Sequence, residues 1–338
     1  MEYGTLPDVE GRVSRLVMGS MVFSTEKQEY TNEILDRWLE VGGTTIDTAR
    51  VYAKGTSEEA VGNWLQARGC RDKVVIIGKG AHPDNATMEQ RINAASIHAD
   101  IEISLRAMQL EKMDLYILHK DDADAPVGPV VEALNEEFGA GRIGAFGGSG
   151  WTQQRIEAAN EYADKHGLKP FTVSSPNFSL AVPNEPMWAG CVSLSGDEEA
   201  LAWYEKTQFP VFAWSSQARG FFSGRYKPEM AEEFRAKQPH FDELPLPERD
   251  RLNVFRTYYS EANWERYRRA EALAKEKDVT LQQVTLAWVL HSPLNLYALI
   301  GPASTSELDN SLGALDVKLG EEEIAWLNLQ KEPIKALA

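Results

Sequence analysis

Cysteine is almost absent from this sequence: Cys70 and Cys191 are the 2 thiols in 338 residues. They lie far apart, and no ligand-like spacing surrounds either. A disulfide framework and a zinc site are therefore not signalled, and no metal is expected. Two free thiols fit a reducing compartment. Long apolar runs are also missing, since none approaches the roughly 18 residues of a membrane helix. The opening Met1-Glu2-Tyr3-Gly4 lacks the basic and apolar regions of a signal peptide, so a cytoplasmic location is the expectation. Positive charge is in deficit, with 35 Lys and Arg against 51 Asp and Glu and a formal charge of −16. Such a chain repels phosphate backbones and anionic headgroups, so neither nucleic acid nor membrane is expected as a partner. There is no internal repeat, low-complexity tract or linker, and residues 1–338 read as one domain with a sizeable core.

What the sequence does have is alternation. Short β-rich apolar runs recur, separated by segments of helical spacing. Strands are predicted at Leu16–Met18, Thr44–Asp47, Val74–Ile77, Leu115–Leu118, Ile143–Phe146, Thr172–Ser174, Phe209–Trp214 and Tyr297–Ile300. Helices are predicted at Glu29–Val41, Ser57–Ala67, Ile92–Met108, Pro129–Phe138, Gln153–Lys165, Asp197–Lys206 and Leu281–His291. Strands joined through helices pair in parallel. The number of units predicts an α/β fold of the (β/α)8 TIM-barrel type, with long substrate loops on its C-terminal face. The competing doubly wound sheet would carry G-x-G-x-x-G after its first strand. Met18-Gly19-Ser20-Met21-Val22-Phe23 lacks that fingerprint. Residues 180–196 and 227–250 are expected to be long loops, and 321–329 an amphipathic helix on the barrel exterior.

Four polar residues fall at or just past successive strand ends: Asp47, Tyr52, Lys79 and His119. In a parallel barrel these ends converge on one mouth. Singly, each has a structural explanation: a strand-end Asp caps a turn, a Tyr packs, and a His bonds locally. Together they make sense as proton-handling chemistry. An adjacent ammonium should lower the pKa of a phenol, a carboxylate should keep that lysine charged, and an imidazole can orient a carbonyl oxygen.

In these residues the chain resembles the aldo-keto reductase family. Asp47-Thr48-Ala49-Arg50-Val51-Tyr52, followed by Ser57-Glu58, is similar to the family's D-T-A-x-x-Y signature. Gly78-Lys79 and Leu118-His119 match its strand-three lysine and strand-four histidine. Gly141 to Gly147 is similar to its strand-five segment, and Phe212 to Gly220 to its cofactor loop. The resemblance implies hydride transfer between a nicotinamide and a carbonyl or alcohol, with Tyr52 as acid, Lys79 and Asp47 tuning it, and His119 orienting the carbonyl. It implies a cofactor site built from Ser149, Gly150, Ser175, Trp214, Ser215, Ser216, Gln217, Arg219, Gly220, Gly301, Ala303, Ser304, Thr305, Glu307, Asn310 and Ser311. Trp214 would stack under the nicotinamide.

The sequence departs from the family at the nucleotide-holding end. Ser149-Gly150 stands where a Ser-Asn pair is usual, and Ser175 where a glutamine is, with Asn177 as a substitute amide. Residues 301–311 contain neither Lys nor Arg and include Glu307 and Asp309. A 2′-phosphate binds best to Arg or Lys, whereas a carboxylate suits a ribose hydroxyl. The family implies NADP(H), and these residues keep NAD(H) open. Phe23, Lys120 and Trp151 are expected to face the substrate, and Lys120 replaces the family's tryptophan. Polar residues there favour a small, polar or sugar-like carbonyl or alcohol. Two other readings remain at this stage: a nicotinamide-sensing regulatory subunit, and an aldolase using Lys79 as a Schiff base. Oligomeric state is left open.

Overall fold

A computed structural model describes residues 1–330. In chain order the elements are β1 (Tyr3–Gly4), β2 (Val13–Ser14), β3 (Leu16–Gly19), α1 (Gln28–Glu40), β4 (Thr45–Asp47), α2 (Thr56–Arg68), β5 (Val75–Gly80), α3 (Ala94–Met108), β6 (Met113–Leu118), α4 (Val127–Gly139) and β7 (Ile143–Ser149). They continue as α5 (Gln153–His166), β8 (Val173–Ser175), α6 (Glu198–Thr207), β9 (Val211–Ala213), α7 (Ala231–Lys237), α8 (Leu246–Tyr258), α9 (Glu261–Lys277), α10 (Leu281–Leu290), β10 (Leu296–Ile300), α11 (Thr305–Gly313) and α12 (Glu321–Leu327). Strands β3 to β10 pair in parallel and close on themselves in the order β10-β3-β4-β5-β6-β7-β8-β9, which makes the fold a (β/α)8 TIM barrel.

The helices start where side chains can satisfy their free amides. Asn93, Thr152, Asp197, Ser260 and Ser304 each accept a hydrogen bond from the backbone three residues on, and Thr280 with Gln283 forms a capping box. Their apolar faces meet the outer face of the barrel through Leu16, Met18, Ile46, Ile76, Tyr116 and Leu118. The alternate strand residues, Val17, Val75, Ile77, Leu115, Ile117, Ala145, Val173, Phe212 and Tyr297, fill the barrel interior. The β1–β2 hairpin closes the N-terminal end, where Leu6, Val9 and Val13 pack against that interior.

The segment between β9 and β10 departs from a simple βα unit. The stretch 227–250, expected as a loop, carries α7 and the start of α8. Together with α9, α10 and α12 these form a second apolar cluster around Phe221, Leu252, Tyr258, Trp264 and Leu273. Residues 180–196 are mostly irregular, pinned by Asn177 N to Val192 O (2.9 Å) and Leu194 N to Asn177 O (2.8 Å). Helix α11, which the alternation alone did not predict, follows β10. Among the described residues, no helix is long and apolar enough to cross a membrane.

Candidate active site

Strand periodicity builds the site. Asp47 shares the inward parity of Thr45, Lys79 that of Val75 and Ile77, and His119 that of Leu115 and Ile117. Ser149, Ser175, Trp214 and Gly301 continue the parity of Ala145, Val173, Phe212 and Tyr297. These residues therefore form the uppermost inward layer of the barrel, at the C-terminal ends of its strands.

Tyr52 reaches this layer from the β4–α2 loop. Backbone bonds from Thr48 N to Ile77 O (2.8 Å) and from Arg50 N to Lys79 O (2.9 Å) splice that loop onto β5. Ala53 (φ 46°), Lys54 (φ 57°) and Gly55 (φ 94°) then turn the chain through three left-handed residues. Non-glycine residues hold that conformation only when their surroundings impose it, and such strain gathers at functional loops. The Tyr52 ring lies 5.1 Å from the Lys79 ammonium and 5.5 Å from the His119 ring, edge to face.

Lys79 pairs with Asp47 in a buried ion pair and hydrogen bond. Burial works against the Lys79 charge, but Asp47 and Tyr52 more than offset it and hold the lysine above its ordinary value. Burial likewise pushes Asp47 up while Lys79 opposes. The other Asp47 oxygen has no hydrogen-bond partner among the described residues. For Tyr52 the expected lowering is reversed. Burial raises its hydroxyl above the usual phenol value, outweighing Lys79. The tyrosine is thus a firmly protonated donor.

His119 is driven well below its ordinary value, by burial first and then by Lys79, His82 and Lys120. It is a neutral imidazole at neutral pH. Its Nδ1 is buried without a hydrogen-bond partner among the described residues. An unpaired donor there would cost more than an unpaired lone pair, which favours the tautomer with its proton on Nε2. His82 lies 5.1 Å from His119, ring to ring, and its Nδ1 is 2.8 Å from Pro83 O. A carbonyl can only accept, so Nδ1 carries the proton and Nε2 keeps a lone pair.

The residues expected to hold a nucleotide are partly engaged with one another. Ser149 Oγ donates to Ser175 O (2.7 Å), and Ser175 Oγ to Phe212 O (2.9 Å). Asn177 donates to Trp214 O (3.2 Å) and accepts from Ser193 Oγ (2.9 Å), so its amide is already in use. Ser216 Oγ donates to Leu299 O (2.6 Å), tying that loop to β10. Ser215, Ala218, Arg219 and Gly220 all have positive φ, and bonds from Ala218 N to Ser215 O (2.8 Å) and from Gly220 N to Gln217 O (3.0 Å) fold this loop back on itself. Arg219 adds a guanidinium there, 3.6 Å from Asp250 and 5.1 Å from the Trp188 ring. Trp188 in turn lies 5.7 Å from Trp214. After β10, Glu307 accepts from Ala303 N (2.8 Å), Ser304 Oγ from Glu307 N (3.1 Å), and Ser311 Oγ donates to Glu307 O (2.9 Å). Asn310 accepts from Thr280 Oγ1 (2.9 Å) and so points toward α10. Gly150 (φ 74°) sits beneath Gly190 O, while Gln217 and Thr305 are half-buried.

Two residues expected at the substrate end are elsewhere. Phe23 is fully buried, edge to face with Tyr30, because the short turn after β3 folds it into the helix layer. Trp151 is buried against Phe171 and Arg155, with its Nε1 bonded to Lys120 O (3.3 Å), so it supports the mouth from below. Lys120 does stand at the rim. One contact was invisible in the sequence. Cys191, read as an isolated thiol, lies 2.9 Å from Lys120 Nζ, a contact no local pattern announces. Glu58, which continues the signature run after Tyr52, is fully buried in α2, and among the described residues neither of its carboxylate oxygens has a hydrogen-bond partner. Among the described residues no His, Cys, Asp and Glu group could hold a metal ion.

Comparison with known proteins agrees with this architecture. The norsolorinic acid reductase stcV of Emericella nidulans is 27% identical over 93% of this chain and 77% of its own. The uncharacterized oxidoreductase YrpG of Bacillus subtilis is 26% identical over 97% and 95%. An aldo/keto reductase of Klebsiella pneumoniae, crystallised with NADP and acetate, superposes with a TM-score of 0.67 at 23% identity, covering 98% of this chain and 96% of that one. A sequence model described as the Aldo/keto reductase family matches residues 15–329, and the chain belongs to that family.

Proposed function

We propose that this protein is an NAD(P)H-dependent carbonyl reductase, equally an alcohol dehydrogenase in reverse, acting on a small polar or sugar-like substrate. The observation that carries the reading is the convergence of Tyr52, Lys79, Asp47 and His119 in one inward layer. A nicotinamide coenzyme, when bound, supplies or accepts the hydride. The half-buried Trp214 offers a flat platform, Ser149 and Ser175 retain lone pairs for a carboxamide, and the Arg219 guanidinium in the loop after β9 suits a pyrophosphate. His119 donates from Nε2 to the carbonyl oxygen and polarises it. Tyr52 delivers its proton to that oxygen as charge develops. Lys79 steadies the resulting phenolate, and Asp47 keeps Lys79 charged. Lys120, His82 and Asp121 at the rim support a polar substrate, and two free thiols fit a cytoplasmic setting.

Relatives crystallised with NADP and NADPH favour the phosphorylated coenzyme. Residues 301–311 supply no cation for its phosphate, and we take this end not to favour NADPH over NADH. Changing Tyr52 to Phe should lower kcat roughly 10²–10⁴-fold, the usual worth of a positioned acid, while NADH or NADPH still binds by fluorescence titration. Activity within tenfold of wild type would mean that another group is the acid. Failure of both nucleotides to bind would remove the whole reading.

A further inference from the structure

We propose that Lys120 selects substrates that carry a carboxylate as well as the reacting carbonyl, an inference that rests on the reductase reading above. Lys120 directly follows His119 at the exit of β6. Its ammonium donates to Ala189 O (2.8 Å) and to Cys191 Sγ (2.9 Å). An ammonium has three donors and a thiol is a poor acceptor. One donor therefore has no protein partner among the described residues, and a second is spent on an atom that a carboxylate oxygen would readily displace.

No carboxylate pairs with Lys120 among the described residues, although the chain has 51 Asp and Glu against 35 Lys and Arg. The nearby acids are committed elsewhere. Asp121 binds Arg155 through both oxygens (3.0 and 2.9 Å), and Asp122 Oδ1 accepts from Asp124 N (3.2 Å). The charged or ionisable groups that act on the His119 ring are Lys79, His82 and Lys120, with Asp47 already consumed by Lys79. With Lys79 matched by Asp47 and His82 a neutral imidazole, Lys120 is the unmatched cation among these groups, in a chain of net charge −16. The lysine is also positioned before any substrate arrives. Trp151 Nε1 holds its carbonyl (3.3 Å), and the 180–196 segment holds its ammonium, which reduces the ordering cost of binding. A neutral sugar hydroxyl would gain only an ordinary hydrogen bond here, whereas a carboxylate gains a charge-assisted one.

The test compares kcat/KM for succinic semialdehyde and butanal, which differ chiefly by a terminal carboxylate, in wild type, Lys120→Met and Lys120→Arg. Wild type should prefer the charged aldehyde by about tenfold or more, the usual worth of a hydrogen bond to a charged group. High salt should shrink the preference. Lys120→Met should collapse the ratio through KM of the charged aldehyde, and Lys120→Arg should keep it. If Lys120 is only a tether for the 180–196 segment, both aldehydes lose together, the ratio stays constant and the inference is overturned. A preference for glyceraldehyde 3-phosphate over glyceraldehyde without one for the carboxylate would overturn it too. Turnover of neutral aldehydes with no charge preference defeats this inference alone. No turnover of any aldehyde defeats the reductase reading beneath it as well.

Discussion

Asp47→Asn is the perturbation whose consequences can be followed furthest. Side-chain exposures of 4% for Lys79 and 1% for Asp47 place this ion pair inside the barrel. Removing one partner of such a pair leaves a buried charge uncompensated, at a cost of about 3–5 kcal/mol. That is a large part of the 5–15 kcal/mol typical of a folded protein. In wild type the folded-state pKa of Lys79 is raised. Its stabilisation is therefore complete below the ordinary lysine pKa and lost only as pH rises through the higher folded value. In the asparagine variant burial acts without its counterweight, so the folded pKa falls below the ordinary one and the sign reverses. The variant should be weakest in acid and recover as pH climbs toward the ordinary lysine range. Urea unfolding at several pH values should show a midpoint gap that narrows with rising pH at constant m. The double variant Asp47→Leu with Lys79→Met removes both charges and should regain most of the stability while remaining inactive. A single-variant cost under about 1 kcal/mol would mean that the pair behaves as a solvated one. A double variant as unstable as the sum of its singles would mean that the two groups do not interact. Either result refutes the reasoning.

Two further outcomes can be checked directly. Glu58 is fully buried in α2, and burial, opposed by Ser104 and Arg50, pushes its carboxyl up to about 7. A raised folded pKa means stability that is present below the unfolded value of 4.5 and lost as pH rises through about 7, amounting to about 3 kcal/mol. Wild-type urea midpoints should therefore decline between about pH 5 and 8, and Glu58→Gln should flatten the decline; equal slopes would show that Glu58 is not the titrating group. Changing Glu307 to Arg replaces the carboxylate that caps Ala303 N with a phosphate-binding group, and should raise kcat/KM for NADPH relative to NADH about tenfold. No gain would show that residues 301–311 do not meet the adenosine end.

Much of the fold was legible in the chain because its information is local. Period-two apolar runs and helical spacing are short-range patterns, and β3 to β10 fall where those patterns predict, apart from shifts at their ends. The helices around 227–277 and 305–313 were harder to see. Prolines and charges in the first stretch read as loop, and the eight-unit rhythm left no place for extra elements.

For the site, the sequence by itself determined which residues meet. Once Asp47, Lys79 and His119 stand at the ends of inward-facing strands, barrel closure leaves them no other destination. Tertiary structure alone decided what each residue's surroundings make of it. Ammonium proximity, read from the sequence, pointed to an acidified Tyr52; burial, which depends on everything packed above and around it, turned the shift upward. Phe23 and Trp151 sit at rim positions in the chain, yet both are folded into the interior. Lys120 and Cys191 come together from separate loops, with Nζ 2.9 Å from Sγ. Parity and order along a strand are properties of the chain, whereas desolvation and charge pairing depend on neighbours that only folding brings near.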